Sequence, residues 1–105
     1  MTPEGRIKKL VNAQLTKLGA TCWYFMPVQT GYGRPSLDYM LCVNGRFVAI
    51  ETKRPGGKLT AMQLVTKDYM ERAGGLVLVV DSEESLKAAM KRIRWHCHLA
   101  TEGHE

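Results

Sequence analysis

The 105-residue chain has no apolar run near the roughly 18 residues that cross a bilayer, and its opening "MTPEGRIKKL" lacks a signal peptide's apolar stretch. A soluble, intracellular protein is therefore expected. There are three cysteines, Cys22, Cys42 and Cys97, an odd set with no close-spaced pair. Neither a disulfide framework nor a zinc knuckle is suggested. Cys22 and Cys42 lie in apolar, strand-like runs and read as small core residues. No internal repeat, low-complexity tract or second domain is visible. Acid is also scarce: ten Asp and Glu against fifteen Lys and Arg give a formal charge of +5 and a pI near 9.3. A small basic domain leans towards a polyanionic partner, because phosphate contacts release counterions. That lean gains weight only if the few acids gather in one place.

What is present reads as helix, strand, strand, strand, helix, strand, helix. Thr2-Pro3-Glu4 opens the first helix with a capping hydroxyl, proline at the first position and an acid in the first turn. Ile7, Leu10, Val11 and Leu18 follow at helical spacing, and Gly19 stops it. "TCWYFM" (21–26) is strand-like, and "PVQTGYGRPS" (27–36) is a loop. A hairpin spans 37–53 and closes with "RPGGK". Thr60 starts the second helix, with Met62, Val65, Tyr69 and Ala73 on its apolar side, and Gly74-Gly75 ends it. "LVLVV" (76–80) is a strand buried on both faces. Ser82 caps a third helix to about Ile93, with Leu86, Ala89, Met90 and Ile93 inward. This is a mixed α/β domain with helices packed over a small central sheet.

The hairpin "DYMLCVNGRFVAIETKRP" carries the chemistry. Asn44-Gly45 is a strong signal for a two-residue turn. Val43 then faces Arg46, and counting outward brings Asp38 opposite Glu51. Cross-strand partners share a face with Cβ atoms about 5 Å apart, and Lys53 points the same way as Glu51. Two carboxylates side by side repel. A raised pKa on one of them, the Lys53 amine, or a bound divalent cation would each relieve the repulsion. Mg²⁺, which favours one or two carboxylates with waters and phosphate oxygens, suits such a pair, and the constellation fits phosphodiester hydrolysis. An exposed ion pair on an edge strand would also account for Glu51 and Lys53. The apolar neighbours in "RFVAIETK" speak against it.

Asp38, twelve intervening residues, then Glu51-Thr52-Lys53 after an apolar strand resemble the PD-(D/E)XK nuclease signature, and the αβββαβ order matches a restriction-endonuclease-like core. More narrowly, "TPEGRIKK", the glycine-rich loop, "IETKRPGGKLT" and Gln63 resemble the VRR-NUC (virus-type replication-repair nuclease) family over about residues 2–93. One departure is that Ser36 and Leu37 separate Pro35 from Asp38, where the family's aspartate usually follows the proline directly. The resemblance implies a nuclease domain over 1–94, with 95–105 a tail that is disordered or at a dimer contact. It implies Mg²⁺ or Mn²⁺ held by Asp38, Glu51, the backbone carbonyl of Thr52 and Glu4. Lys53 would serve the attacking water and Gln63 would complete a catalytic set of Asp38, Glu51, Lys53 and Gln63. Stand-alone members are small homodimers like junction-resolving enzymes, whereas fused members process flaps and crosslinks. The implied activity is a metal-dependent, structure-selective DNA endonuclease acting on four-way junctions as a homodimer, in a bacterial or phage-infected cell.

Other readings of these residues stay open. Glu4 also complements the helix dipole, and Gln63 also completes a Thr60-x-x-Gln63 capping box. Arg34, Arg54 and Lys58 lie on loops beside the site and suit a phosphate backbone, with Arg6, Lys8 and Lys9 extending the footprint. Gly56 and Gly57 suit a close approach of DNA or a plain turn. His96, Cys97 and His98 have no second ligand pair and do not make a zinc site. Trp95 is expected to serve packing or a dimer contact. Two other functions remain. One is a flap- or duplex-cutting repair or restriction-type nuclease, and the other is a non-catalytic nucleic-acid-binding module.

Overall fold

A computed structural model describes residues 1–28 and 33–100. The middle of the glycine-rich loop (29–32) and the last five residues (101–105) lie outside the described residues. The elements are α1 (Pro3–Lys17), β1 (Cys22–Phe25), β2 (Tyr39–Val43), β3 (Arg46–Thr52), α2 (Ala61–Arg72), β4 (Leu76–Val80) and α3 (Glu83–His96), with a short 3-10 turn at Gly19–Thr21. This is the expected order. The sheet runs β1-β2-β3-β4. The first two pairings are antiparallel and β3–β4 is parallel, the crossover being made through α2.

Local chemistry sets the ends of these elements. The Thr2 hydroxyl accepts from the Gly5 amide at 3.0 Å, and Gly19, at φ +61°, turns the chain out of α1. At the hairpin tip Asn44 and Gly45 have φ of 50° and 82°, the left-handed pair that a two-residue turn requires. Val43 pairs with Arg46 and Tyr39 with Ile50, so no bulge interrupts the ladder. Thr60 and Gln63 form a reciprocal capping box at α2. Gly75 is there for space: a Cβ would lie 2.6 Å from a ring carbon of Phe47.

The two faces of the sheet are covered unequally. Towards α1 and α3 the sheet turns Tyr39, Leu41, Val43, Val48 and Ile50 with the β4 leucines and Val80, packed on Ile7, Val11 and Leu15 and on Leu86, Ala89, Met90 and Ile93. Towards α2 the buried set is only Leu37, Ala49 and Val77, with Met40 and Met70 partly covered. Met62, Val65 and Tyr69 were expected inward, yet all are at least half exposed, and Thr66 is the buried residue of α2. Helical spacing identifies residues that share a side. It does not say whether the opposing sheet is broad enough to cover them. Cys42 shares this open face and is exposed, contrary to the core role read for it, whereas Cys97 is fully buried. α3 runs three residues beyond Ile93, and the Cys97 carbonyl after it accepts from the Asn44 side chain at 2.7 Å. Trp95 packs against little and is 84% exposed.

Candidate active site

The site lies where β2 begins, β3 ends and α1 and α2 begin. Alternation along β3 sends Val48, Ile50 and Thr52 towards α1 and α3, and Ala49, Glu51 and Lys53 towards α2. Glu51 is only 3% exposed, on a strand interior to the sheet. The edge-strand ion pair is therefore not what the structure contains.

Asp38 sits at the bend one residue before β2, and its amide donates to Glu51 Oε1 at 3.0 Å. Counting outward from the turn thus does bring the two acids together. The Asp38 carboxylate is itself fixed: Oδ2 accepts from the Thr52 amide at 2.9 Å and from the Thr52 hydroxyl at 2.7 Å. Its other oxygen, Oδ1, faces Lys8 Nζ at 3.9 Å. The second oxygen of Glu51 accepts from Gln63 Nε2 at 2.8 Å and lies 3.7 Å from Lys53 Nζ. Gln63 completes the capping box and also contacts the site. Its Oε1 accepts from the Thr60 amide at 3.0 Å while its Nε2 holds Glu51.

Glu4 and Lys8 come from one face of α1, a turn apart and 3.6 Å from each other. Tyr39 fixes that helix at the site: its hydroxyl donates to Asn12 Oδ1 at 2.6 Å and lies 3.2 Å from the Lys8 carbonyl oxygen. Of the basic residues expected on the rim, Lys8 is therefore among the carboxylates. Arg54 and Lys58 are exposed on the segment between β3 and α2. Arg34 is turned to the α2 face, with its guanidinium 5.8 Å from the centre of the Tyr69 ring. At the Arg54–Gly57 turn, the Gly57 amide donates to the Arg54 carbonyl at 2.8 Å. A Cβ on Gly57 would stand 3.0 Å from that same oxygen, which accounts for the glycine without DNA. The Thr52 hydroxyl and the Tyr39–Asn12 tie carry no distinctive sequence signal, since Thr and Tyr are ordinary strand residues.

Burial, then the charges of Asp38 and Glu4, push the Glu51 carboxyl up to about 7, against the opposing pull of the Asp38 amide and Lys53. Burial and the neighbouring acids thus oppose ionisation of Glu51 more strongly than the Asp38 amide and Lys53 favour it. Among the described residues no three of His, Cys, Asp and Glu converge to cage an ion by themselves. Two carboxylates with a neighbouring main chain still fit a small hard cation that retains much of its water, as Mg²⁺ does. Asp38, Glu51 and the main chain at Thr52 would hold it, with the Glu4 charge nearby.

No family model matches the chain, and no curated protein does. A solved structure of a VRR_NUC domain superposes on it with a TM-score of 0.75, covering 87% of this chain and 97% of that one at 22% identity. The chain therefore has the VRR-NUC fold, a restriction-endonuclease-like α/β core, which the residues around Asp38 and Glu51 resemble in sequence.

Proposed function

We propose that the protein is a divalent-metal-dependent DNA endonuclease of the PD-(D/E)XK type. The observation that carries this reading is the convergence of Asp38, Glu51, Lys53 and Gln63 at one end of the sheet, with Glu51 buried and held by two hydrogen bonds. An acid whose ionisation is opposed by its surroundings is poorly explained as a stabilising feature, and such groups cluster at functional sites. The shared fold adds support.

In this mechanism Mg²⁺ or Mn²⁺, when bound, supplies an activated water and neutralises charge on the scissile phosphate. The protein's residues do the positioning. Gln63 and the Asp38 amide lock both Glu51 oxygens, and Thr52 locks one oxygen of Asp38 and leaves the other facing Lys8. Lys53, 3.7 Å from Glu51, orients the attacking water and offsets charge as the water oxygen bonds to phosphorus and the bond to the leaving oxygen breaks. Lys8 offsets the Asp38 and Glu4 charges before metal arrives.

The substrate reading is branched DNA cut by a homodimer. A two-fold dimer would present two sites to the two strands of a symmetric junction. The apolar face left open beside α2 suits a second copy, because it carries Trp23, Phe25, Phe47, Met62, Val65 and Tyr69 largely uncovered. Six such side chains expose on the order of 600 Å², which approaches one partner's share of a stable interface. Their lack of charge lets like meet like in a molecule of net charge +5.

The test compares wild type with Lys53→Ala on labelled four-way junction, flap, linear duplex and single strand, with Mg²⁺ or Mn²⁺. Symmetric junction incisions that vanish in the variant and in chelator are expected. Cutting of flaps or duplex alone would keep the chemistry and change the substrate. No cleavage by wild type, with DNA binding intact in both, would leave a non-catalytic binding module. Sedimentation of Trp23→Glu beside wild type tests the dimer.

A further inference from the structure

On the opposite side of the sheet from α2, α1 and α3 leave a groove of about 860 Å³ between them. Its rim carries Lys17 from α1 and Lys87, Lys91 and Arg94 from α3, with Glu83 as the one lining acid among the described residues. Lys17, Lys87 and Lys91 enter no ion pair among the described residues. Lys87 and Lys91 stand one helical turn apart, so their charges add along one line. The groove is apolar within, lined by Leu10, Met90 and Leu99, and Trp95 stands beside them at 84% exposure. A lysine row alone would serve solubility. A large indole left in water next to that row calls for something flat and anionic, since burying such a ring is strongly favourable.

The groove also has a direction. β4 runs parallel to β3, and Thr52 pairs with Val80, so α3 begins at the end of the sheet that holds Glu51 and Lys53. α1 begins there too, through Glu4 and Lys8. From Glu83 to Trp95 the groove leads away from that end over about 18 Å, at the usual helical rise.

We propose that this groove is a second nucleic-acid contact that takes a single strand, with a base stacked on Trp95 and phosphates held by Lys17, Lys87 and Lys91. A duplex offers a helix surface chiefly its phosphates, whereas an unpaired strand also offers bases to an apolar floor and a free ring. The identity of the polymer rests on the nuclease reading, and the strand leaving the cut site is the one the groove would receive.

The experiment measures binding in chelator, so that no cleavage intervenes. The chain has two tryptophans, and a Trp23→Phe background leaves Trp95 as the sole reporter. Labelled oligothymidylate should quench Trp95 fluorescence. Lys87→Glu/Lys91→Glu should weaken binding at least tenfold and lower the salt slope by about 1.4, at about 0.7 per lost phosphate contact on a single strand. Trp95→Ala should weaken it about tenfold, and Trp95→Phe should restore most of it. Lys67→Glu/Arg72→Glu, the same charge change placed on α2, should stay within about twofold of wild type. Equal losses in both double variants would reduce the effect to net charge and overturn the proposal. Retention on anionic vesicles that depends on Lys87 and Lys91, with oligonucleotide binding unchanged, would overturn it in favour of a membrane surface. Cleavage in Mg²⁺ is scored separately. Groove-dependent binding without any cleavage by wild type would keep the groove and sink the nuclease reading, and cleavage with binding indifferent to the groove would do the reverse.

Discussion

Consecutive residues of β3 face two unlike environments. Val48, Ile50 and Thr52 enter the closed layer under α1 and α3, where the sheet, both helices and Cys97 exclude water. Ala49, Glu51 and Lys53 enter the side that α2 covers only in part, and there the strand ends in charge. On the first side burial and bonding agree, so every buried group is apolar or, like Thr52 on Asp38, has its partner. On the second, burial and charge conflict at Glu51. The first side supplies stability, and the second uses some of it to hold an unfavourable carboxylate in place.

Lys53→Ala should break the comparison most sharply, costing about a thousandfold in cleavage with little loss of stability. Removing the amine withdraws one of the influences that favour ionised Glu51, so the acid takes up a proton more readily and the fold is spared a bare charge. Single-turnover cleavage beside urea unfolding of the same preparation checks both halves. A large loss of stability would make Lys53 a structural ion-pair partner. Ile50→Ala, one residue before Glu51 and fully buried, should show the opposite split. Unfolding should become easier by about 3–4 kcal/mol, with cleavage at low temperature kept within several-fold.

The pH dependence of Glu51 sharpens the same contrast. An unfolded glutamate titrates near 4.5 and the folded one near 7, so between these values the folded protein holds a proton that the unfolded chain releases. Stability from this group is therefore full below 4.5, falls as pH rises through 7, and levels off above. The whole loss is on the order of 3 kcal/mol. Urea unfolding in chelator should show Glu51→Gln gaining on wild type across that window. Its constant hydrogen-bond penalty drops out of the slope. Mg²⁺ at high pH should stabilise wild type alone. A flat difference would mean that Asp38 and Lys53 balance Glu51 at every pH.

The legible parts of the molecule were those in which one local rule decides the outcome. Asn44-Gly45 sets a turn, the turn sets a register, and the register brings Asp38 to Glu51. "LVLVV" has no polar residue with which to face water, and Thr60 with Gln63 closes a helix end. What escaped depended on which surfaces meet. Met62, Val65 and Tyr69 keep helical spacing, but α2 meets the sheet through Thr66 and Met70. Cys42 lies in an apolar run at a part of the sheet that α2 leaves open, and Cys97 is buried because α3 continues without a breaker through His96. Lys8 reads as a surface cation until α1 is docked. The docking depends on Tyr39 and Asn12, twenty-seven residues apart in the chain.

That docking gives the smallest of these effects and tests whether the closed side reaches the charged one. Tyr39 is wholly buried, and burial, first of its causes, drives its ionisation well above the ordinary range, so the phenol stays a donor. Tyr39→Phe keeps the ring against Tyr24 and removes only the hydroxyl, which should cost about 1 kcal/mol because Asn12 loses its donor. A purely structural role ends there, with the Mg²⁺ requirement of cleavage unchanged. If the hydroxyl instead sets where Glu4 and Lys8 stand, the Mg²⁺ concentration for half-maximal cleavage should shift severalfold. Asn12→Ala, which removes the same tie from the other side, should shift it in the same direction. We expect the shift, since the first turns of α1 approach Asp38 through Lys8, and the 2.6 Å bond from Tyr39 lies one helical turn further along the same helix.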